Sequence, residues 1–343
     1  MDRVIGMDLG DKQNVVVVFD QEGREERVAR VGNTSAQVQR FFSAYTGAAV
    51  VVEAGTHSPW VSRLLQGMGH EVCVGNPRRL RAIWDSDDKS DERDARVLGM
   101  MYRLEPRLLH AIKHRGEQAQ ADLSLIKSRD QLVATRTKLI NHVRGSLKGF
   151  GLRLHKCGPE GFARKAPAQI PAMLWDGLSA VVELIGELTA RIRRLDRRIN
   201  ELCRDRYPET SYLMQIPGVG PITALAFILT IEDPGRFAKS RIAGAYVGLS
   251  PRRDQSGESD RQMRITKAGN RLLRRLLVTA AQYILGRFGP DCDLRRYGER
   301  IAARGGKRAK RCAVVAVARK LAVKMHRLWA GQQDYEPFVA QAA

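Results

Sequence analysis

The chain has no apolar run long enough to cross a membrane. A span needs about 20 consecutive apolar residues, and every run here is short and broken by charge. Cysteine is scarce: Cys73, Cys157, Cys203, Cys292 and Cys312 are scattered without a CxxC pair, which excludes a disulfide frame or a zinc ribbon and fits reduced thiols. The seven histidines show no metal-ligand spacing, so a histidine-built metal centre is excluded as well. Met1-Asp2-Arg3 leads directly into a strand-like run without a signal-peptide pattern. The expected location is therefore the cytoplasm, with no membrane partner.

Acidic residues are few overall and unevenly placed. Asp and Glu number 37 against 58 Lys and Arg, a formal net charge of +21. Residues 1–110 hold 15 basic and 16 acidic residues, and the remainder holds 43 and 21. A nearly neutral first third precedes a strongly basic remainder, so a polyanion, with nucleic acid first, is the expected partner. A generic basic surface would not explain why the acids gather at the start.

The 343 residues suffice for two or three units with their own cores. Residues 3–8 and 13–20 read as strands around a turn at Gly10-Asp11, followed by a weak strand over 26–30. A helix carries Val38, Phe41, Phe42 and Tyr45. Then come a buried strand 48–52 ending at Glu53, a helix 59–68, a strand 71–74 and a helix from Asp91 to Arg103. The first 112 residues thus read as a mixed α/β domain. Residues 113–206 read as helical. Leu178, Val181, Ile185, Leu188, Ile192, Leu195, Ile199 and Leu202 step by three and four, the seam of a coiled coil. With a second helix over 117–147, either an antiparallel hairpin or an intermolecular pairing fits. Residues 207–331 form a mostly helical, basic segment, and 332–343 a tail.

Asp8 closes the first strand and Glu53 a later one, so parallel neighbours would set both at one sheet edge. Asp91 and Asp94 are three apart and share a helix face. Four converging carboxylates need cations, and an all-oxygen site suits Mg²⁺ or Mn²⁺, which assist attack on phosphate esters. Singly, Asp8 could cap a turn and Asp91 a helix.

The order strand-Asp, strand-Glu and helical DxxD resembles the RuvC branch of the ribonuclease-H-like fold. IGMDLGDK, VVEAGTHSPW and KSDERDAR more narrowly resemble the DEDD insertion-sequence transposases, the bridge-RNA-guided recombinases. IPGVGPITALAFI and FAKSRIAGAYVGLSPRRDQSGESDRQMRITKAGNRLLRRLL are similar to the second domain of that family, so nearly the whole chain is covered. The resemblance implies catalytic, metal-holding roles for Asp8, Glu53, Asp91 and Asp94. It implies a nucleophilic role for Ser256, which would attack a DNA phosphodiester and form a covalent protein–DNA intermediate. It also implies donor and target double-stranded DNA, a structured noncoding guide RNA, and a homo-oligomer (dimer or tetramer) whose protomers build a composite site.

Without the family, Ser256 in DQSGES is a turn serine, with Ser250 and Ser259 as rivals. Arg252, Arg253, Arg261, Arg264, Lys267, Asn270 and Arg271, with Arg274 and Arg275 beyond, are candidates for gripping a phosphate backbone. Gly218 and Gly220, in PGVGP, resemble a helix-hairpin-helix turn whose N–H groups hold phosphate. GGKRAKRC, 305–312, either contacts nucleic acid or precedes a helix 313–328. The alternative function is a RuvC-type structure-selective endonuclease that hydrolyses DNA with two metals, which leaves the serine segment without a task. An actin-like sugar kinase or ATPase would need a second Asp-Gly phosphate loop, which is absent. A non-catalytic basic scaffold would not need Asp8.

Overall fold

The computed structural model describes residues 3–80, 90–256 and 259–338. The chain divides into two compact units, residues 1–115 and 116–343. The first is a mixed α/β unit and the second is predominantly helical.

In the first unit β1 (Val4–Asp8), β2 (Gln13–Phe19) and β3 (Glu25–Gly32) form an antiparallel meander. Beside them β4 (Ala49–Glu53) and β5 (Glu71–Gly75) run parallel to β1, giving the order β3-β2-β1-β4-β5. Helix α1 (Ser35–Phe42) connects β3 to β4, and α2 (Ser58–Gly67) connects β4 to β5. The short α3 (Pro77–Leu80) and the longer α4 (Asp91–Leu104) follow. β3 is longer than its sequence suggests because β2 pairs with it from Gln13 to Phe19.

Strand alternation sorts the side chains into two cores. Ile5, Met7, Val16, Val18, Val50 and Val52 pack with Val38 and Phe42 of α1 and Val61 and Leu65 of α2. On the other face Val4, Ala49 and Val51 pack with Leu98, Met101 and Tyr102 of α4, and Val15, Val17 and Phe19 with Ala95. The sheet is the middle of three layers, which is why β4 is apolar at every position before Glu53. Helix α4 lies unusually close to β1. A Cβ on Gly6 would stand 1.9 Å from the Ala95 carbonyl oxygen, and one on Gly99 2.4 Å from a ring carbon of Phe19. Only glycine permits that approach.

In the second unit α5 (Glu117–Lys148) and α7 (Ala172–Asp205) lie antiparallel. Arg129 pairs with Asp196 at 2.8 Å and Arg136 donates to Thr189 at 3.1 Å. Beyond the end of α7, Arg206 reaches Asp122 at 2.9 Å. Of the two arrangements open to the heptad seam, the chain forms the hairpin. At the loop end Ile140, Val143 and Leu147 meet Leu178, Val182 and Ile185, with Phe162 of the short α6 (Phe162–Lys165) between them. At the other end Leu123, Ile126, Ile199 and Leu202 enter a large core shared with the C-terminal helices.

Those helices are α8 (Thr210–Met214), α9 (Pro221–Ile231), α10 (Arg241–Tyr246), α11 (Arg271–Ile284), α12 (Asp293–Ala302) and α13 (Gly306–Gly331). A two-stranded ribbon, β6 (Pro251–Ser256) and β7 (Ser259–Ile265), stands between α10 and α11 in the chain. The basic run 305–312 begins α13 instead of preceding it, as its Lys, Arg and Ala residues favour helix. Of the expected tail, residues 339–343 lie outside the described residues. Among the described residues no helix is long and apolar enough to cross a membrane.

Candidate active site

β1 and β4 pair in parallel from Val4 opposite Ala49 to Met7 opposite Val52, and the next step of that register sets Asp8 beside Glu53. By parity Asp8 follows Val4 and Gly6, and Glu53 follows Ala49 and Val51, so both belong to the sheet face covered by α4. Ser90 starts α4 by accepting a hydrogen bond from the Arg93 amide at 3.2 Å. The partial positive charge of the helix start favours acids in this first turn. Glu92, between the two aspartates, is drawn to Arg96 at 2.8 Å.

Glu53, Asp91 and Asp94 thus lie within electrostatic reach of Asp8. The carboxyl of Asp8 is pushed up to about 6, first by burial and then by the negative charges of Asp91, Asp94 and Glu53. A cation held among these acids would relieve that crowding of negative charge. The donor set is all oxygen, without imidazole or thiolate, which fits a hard divalent ion such as Mg²⁺ or Mn²⁺. Among the described residues no three ligand-type side chains stand close enough to form a ready-made shell. Cation binding would have to draw the four inward.

Neighbouring contacts were not evident in the sequence. His57, after β4, meets Asp11, after β1, at 3.3 Å through Nε2, while the Trp60 indole N–H donates to Nδ1 at 3.3 Å. With Nδ1 accepting, the proton sits on Nε2 and points at Asp11. Asn33 donates to the Gly10 carbonyl at 2.8 Å. These bonds tie the turn after β1 to the turn after β3 and to the loop after β4. Their only trace in the sequence is polar residues shortly after Asp8 and Glu53 and at the end of β3.

In the second unit Ser256 is exposed at the end of β6, paired with Ser259 of β7. Gly257 and the side chain of Arg261 lie outside the described residues. Ser250, one of the rivals, has its hydroxyl oxygen enclosed without a partner. Arg252, Arg253, Arg264, Lys267 and Arg271 are exposed, as a phosphate-gripping surface requires. Asn270 caps α11, accepting from the Leu273 amide at 3.1 Å. Arg274 donates to the carbonyls of Val247 and Ala268 at the ribbon's base, and Arg275 is paired with Asp130. Gly218, at φ +80°, is pressed on α11: a Cβ there would lie 3.0 Å from the Ala280 carbonyl oxygen and from the Tyr283 ring. Gly220 precedes α9, whose first residue, Pro221, has no N–H to offer a phosphate. The PGVGP turn thus has a packing role whatever else it does.

An acidic cluster at a sheet edge, joined to a strongly basic helical unit, is the equipment of an enzyme acting on nucleic acid. Comparison with known proteins gives the class. Residues 5–151 match the model of DEDD transposases of IS110 type, described as "Transposase", and residues 210–298 match "Transposase IS116/IS110/IS902 family". A "Probable family 20 transposase" of Pseudomonas aeruginosa is 30% identical over 341 residues, covering 97% of this chain and 98% of that protein. The "Transposase for insertion sequence element IS1111A" of Coxiella burnetii is 28% identical, with 97% and 91% covered. The "Transposase for insertion sequence element IS1328" of Yersinia enterocolitica is 29% identical, with 83% and 84% covered. The chain belongs to the IS110/IS116 family of insertion-sequence transposases, and DNA is its partner.

Proposed function

We propose that this transposase cuts and rejoins DNA by metal-assisted phosphoryl transfer to Ser256, with Asp8, Glu53, Asp91 and Asp94 holding Mg²⁺ or Mn²⁺. The observation that carries the reading is the convergence of the four acids, felt at Asp8 as a carboxyl raised to about 6. The strand order, with its antiparallel meander and two parallel strands, suits a RuvC-like, ribonuclease-H-like domain. A bound divalent ion would neutralise charge on the phosphate and help deprotonate an attacking hydroxyl.

The chain's own groups divide the remaining work. The exposed Ser256 offers its hydroxyl oxygen, which forms a bond to phosphorus as one P–O bond to deoxyribose breaks. The freed deoxyribose oxygen takes up a proton, and the phosphoserine ester retains the energy needed to rejoin a strand. Arg252, Arg253, Arg264, Lys267 and Arg271 grip flanking phosphates, as does Arg261 by its place in the sequence. By family resemblance a structured noncoding RNA chooses the donor and target DNA, and two or four protomers supply the active sites.

The test is a denaturing gel of full-length protein with element-end DNA, its guide RNA and Mg²⁺. The expected result is a covalent protein–DNA adduct that Ser256→Ala and Asp8→Asn both abolish. Nicked DNA without an adduct would make the protein a hydrolytic RuvC-type endonuclease. An adduct that persists in Ser256→Ala would assign the nucleophile elsewhere.

A further inference from the structure

The loop end of the α5/α7 hairpin carries a feature for which the reading above has no use. Arg144, Lys148, Arg153, Leu154 and Lys156 line a cleft of about 300 Å³. Between Asp130 and Glu160 the chain has no acidic residue, and Arg164 and Lys165 follow on α6. Lys148, Arg153 and Lys156 are exposed. Between Lys148 and Arg153 in the chain, Phe150 is 53% exposed and Leu152 is 39% exposed.

The cleft is held in shape. Arg144 donates to the Cys157 carbonyl at 3.1 Å and lies over the Phe162 ring at 5.5 Å, so its charge is fixed to the core below. The amides of Phe150 and Leu152 both return to the Leu147 carbonyl, at 3.1 and 3.0 Å. The His155 amide donates to Gln169, which is itself bound to the Lys165 carbonyl. Beneath lies the separate core around Phe162, Ile140 and Ile185. A cation in the last turn of α5 is favoured by the helix dipole, which accounts for Lys148. Arg153 and Lys156 lie beyond the helix and are not explained that way.

We propose that this hairpin end binds a single-stranded nucleic-acid segment, with phosphates held by Arg144, Lys148, Arg153 and Lys156 and one unstacked base on Phe150. Cations alone would suit any polyanion. An exposed aromatic residue between Lys148 and Arg153 in the chain favours a strand whose bases are free to stack. A second copy of the chain is the less fitting occupant, because a symmetric contact would set the same cations against each other. The inference rests on the chain being a nucleic-acid enzyme and adds a second contact surface, separate from the arginines around Ser256.

The test uses full-length Asp8→Asn protein, which can bind but not react, and labelled single-stranded RNA and DNA of about twelve nucleotides. A duplex of equal length serves as the comparison. Phe150→Ala is expected to weaken single-strand binding by about 5- to 100-fold and leave duplex binding unchanged. The triple variant Lys148→Gln, Arg153→Gln, Lys156→Gln should weaken it too and reduce the slope of log affinity against log salt by about 2. Photocrosslinking through a halogenated uridine should label the peptide 149–156, and the RNA and DNA arms identify the preferred strand. Wild-type affinity in both variants, with no crosslink in that peptide, would overturn the proposal. So would a change confined to self-association, measured by light scattering. Both outcomes are independent of the adduct assay on Ser256, so either reading can fail while the other stands.

Discussion

Asp8 is a carboxyl kept in unfavourable surroundings. Burial and three neighbouring acids raise it to about 6 in the folded protein, whereas an unfolded chain leaves an aspartate near its ordinary value of about 3.9. The folded state therefore holds the extra proton between these values. Its advantage is full below about pH 4 and is lost as pH rises through about 6. Removing the charge should reverse that loss. Asp8→Asn is expected to stabilise the metal-free protein by about 1–3 kcal/mol at pH 8 and by little at pH 4, measured by urea unfolding. The same variant should lower DNA strand transfer by about 10³-fold or more. The four acids were legible in the sequence because strand ends and a three-residue helical step are local patterns. The contact of His57 with Asp11 was not, because it depends on how two loops 46 residues apart are brought together.

At the scale of elements, the decisive contact is α4 on β1. Gly6 and Gly99 let helix and strand approach until side chains have no room, and this holds Asp91 and Asp94 near Asp8. Gly6→Ala is expected to cost about 1–3 kcal/mol in denaturant unfolding, since the new methyl must displace the helix backbone. It should also weaken divalent-metal binding, although it removes no ligand. Asn270→Ala should cost about 1 kcal/mol, the usual loss of a helix cap, because Asn270 holds the start of α11. The sequence showed Gly6 as one residue of a strand, and nothing local marks its partner 93 positions away. The heptad seam of α7 was legible as a period. Its partner was left open, since the same stripe suits a helix of the same chain or of another. The pairs Arg129–Asp196 and Arg136–Thr189 decide for the same chain.

At the scale of the molecule, charge and fold divide the chain in the same place. The unit with the acidic cluster ends at Arg115 and the helical unit begins at Gly116, close to where the excess of Lys and Arg begins. DNA binding is therefore expected to fall steeply with salt, by about 10³-fold or more between 50 and 200 mM in a filter-binding titration if six or more phosphates are contacted. Asp8→Asn should leave that steepness unchanged, because it alters the chemistry and not the grip. The central claim, that the four carboxylates form one metal-holding site, is tested most directly by titrating the full-length protein with Mn²⁺ and following free Mn²⁺ by electron paramagnetic resonance. The expected result is saturable binding in the wild type that Asp8→Asn, Glu53→Gln, Asp91→Asn and Asp94→Asn each weaken by about tenfold or more. Wild-type Mn²⁺ binding in all four variants would contradict it.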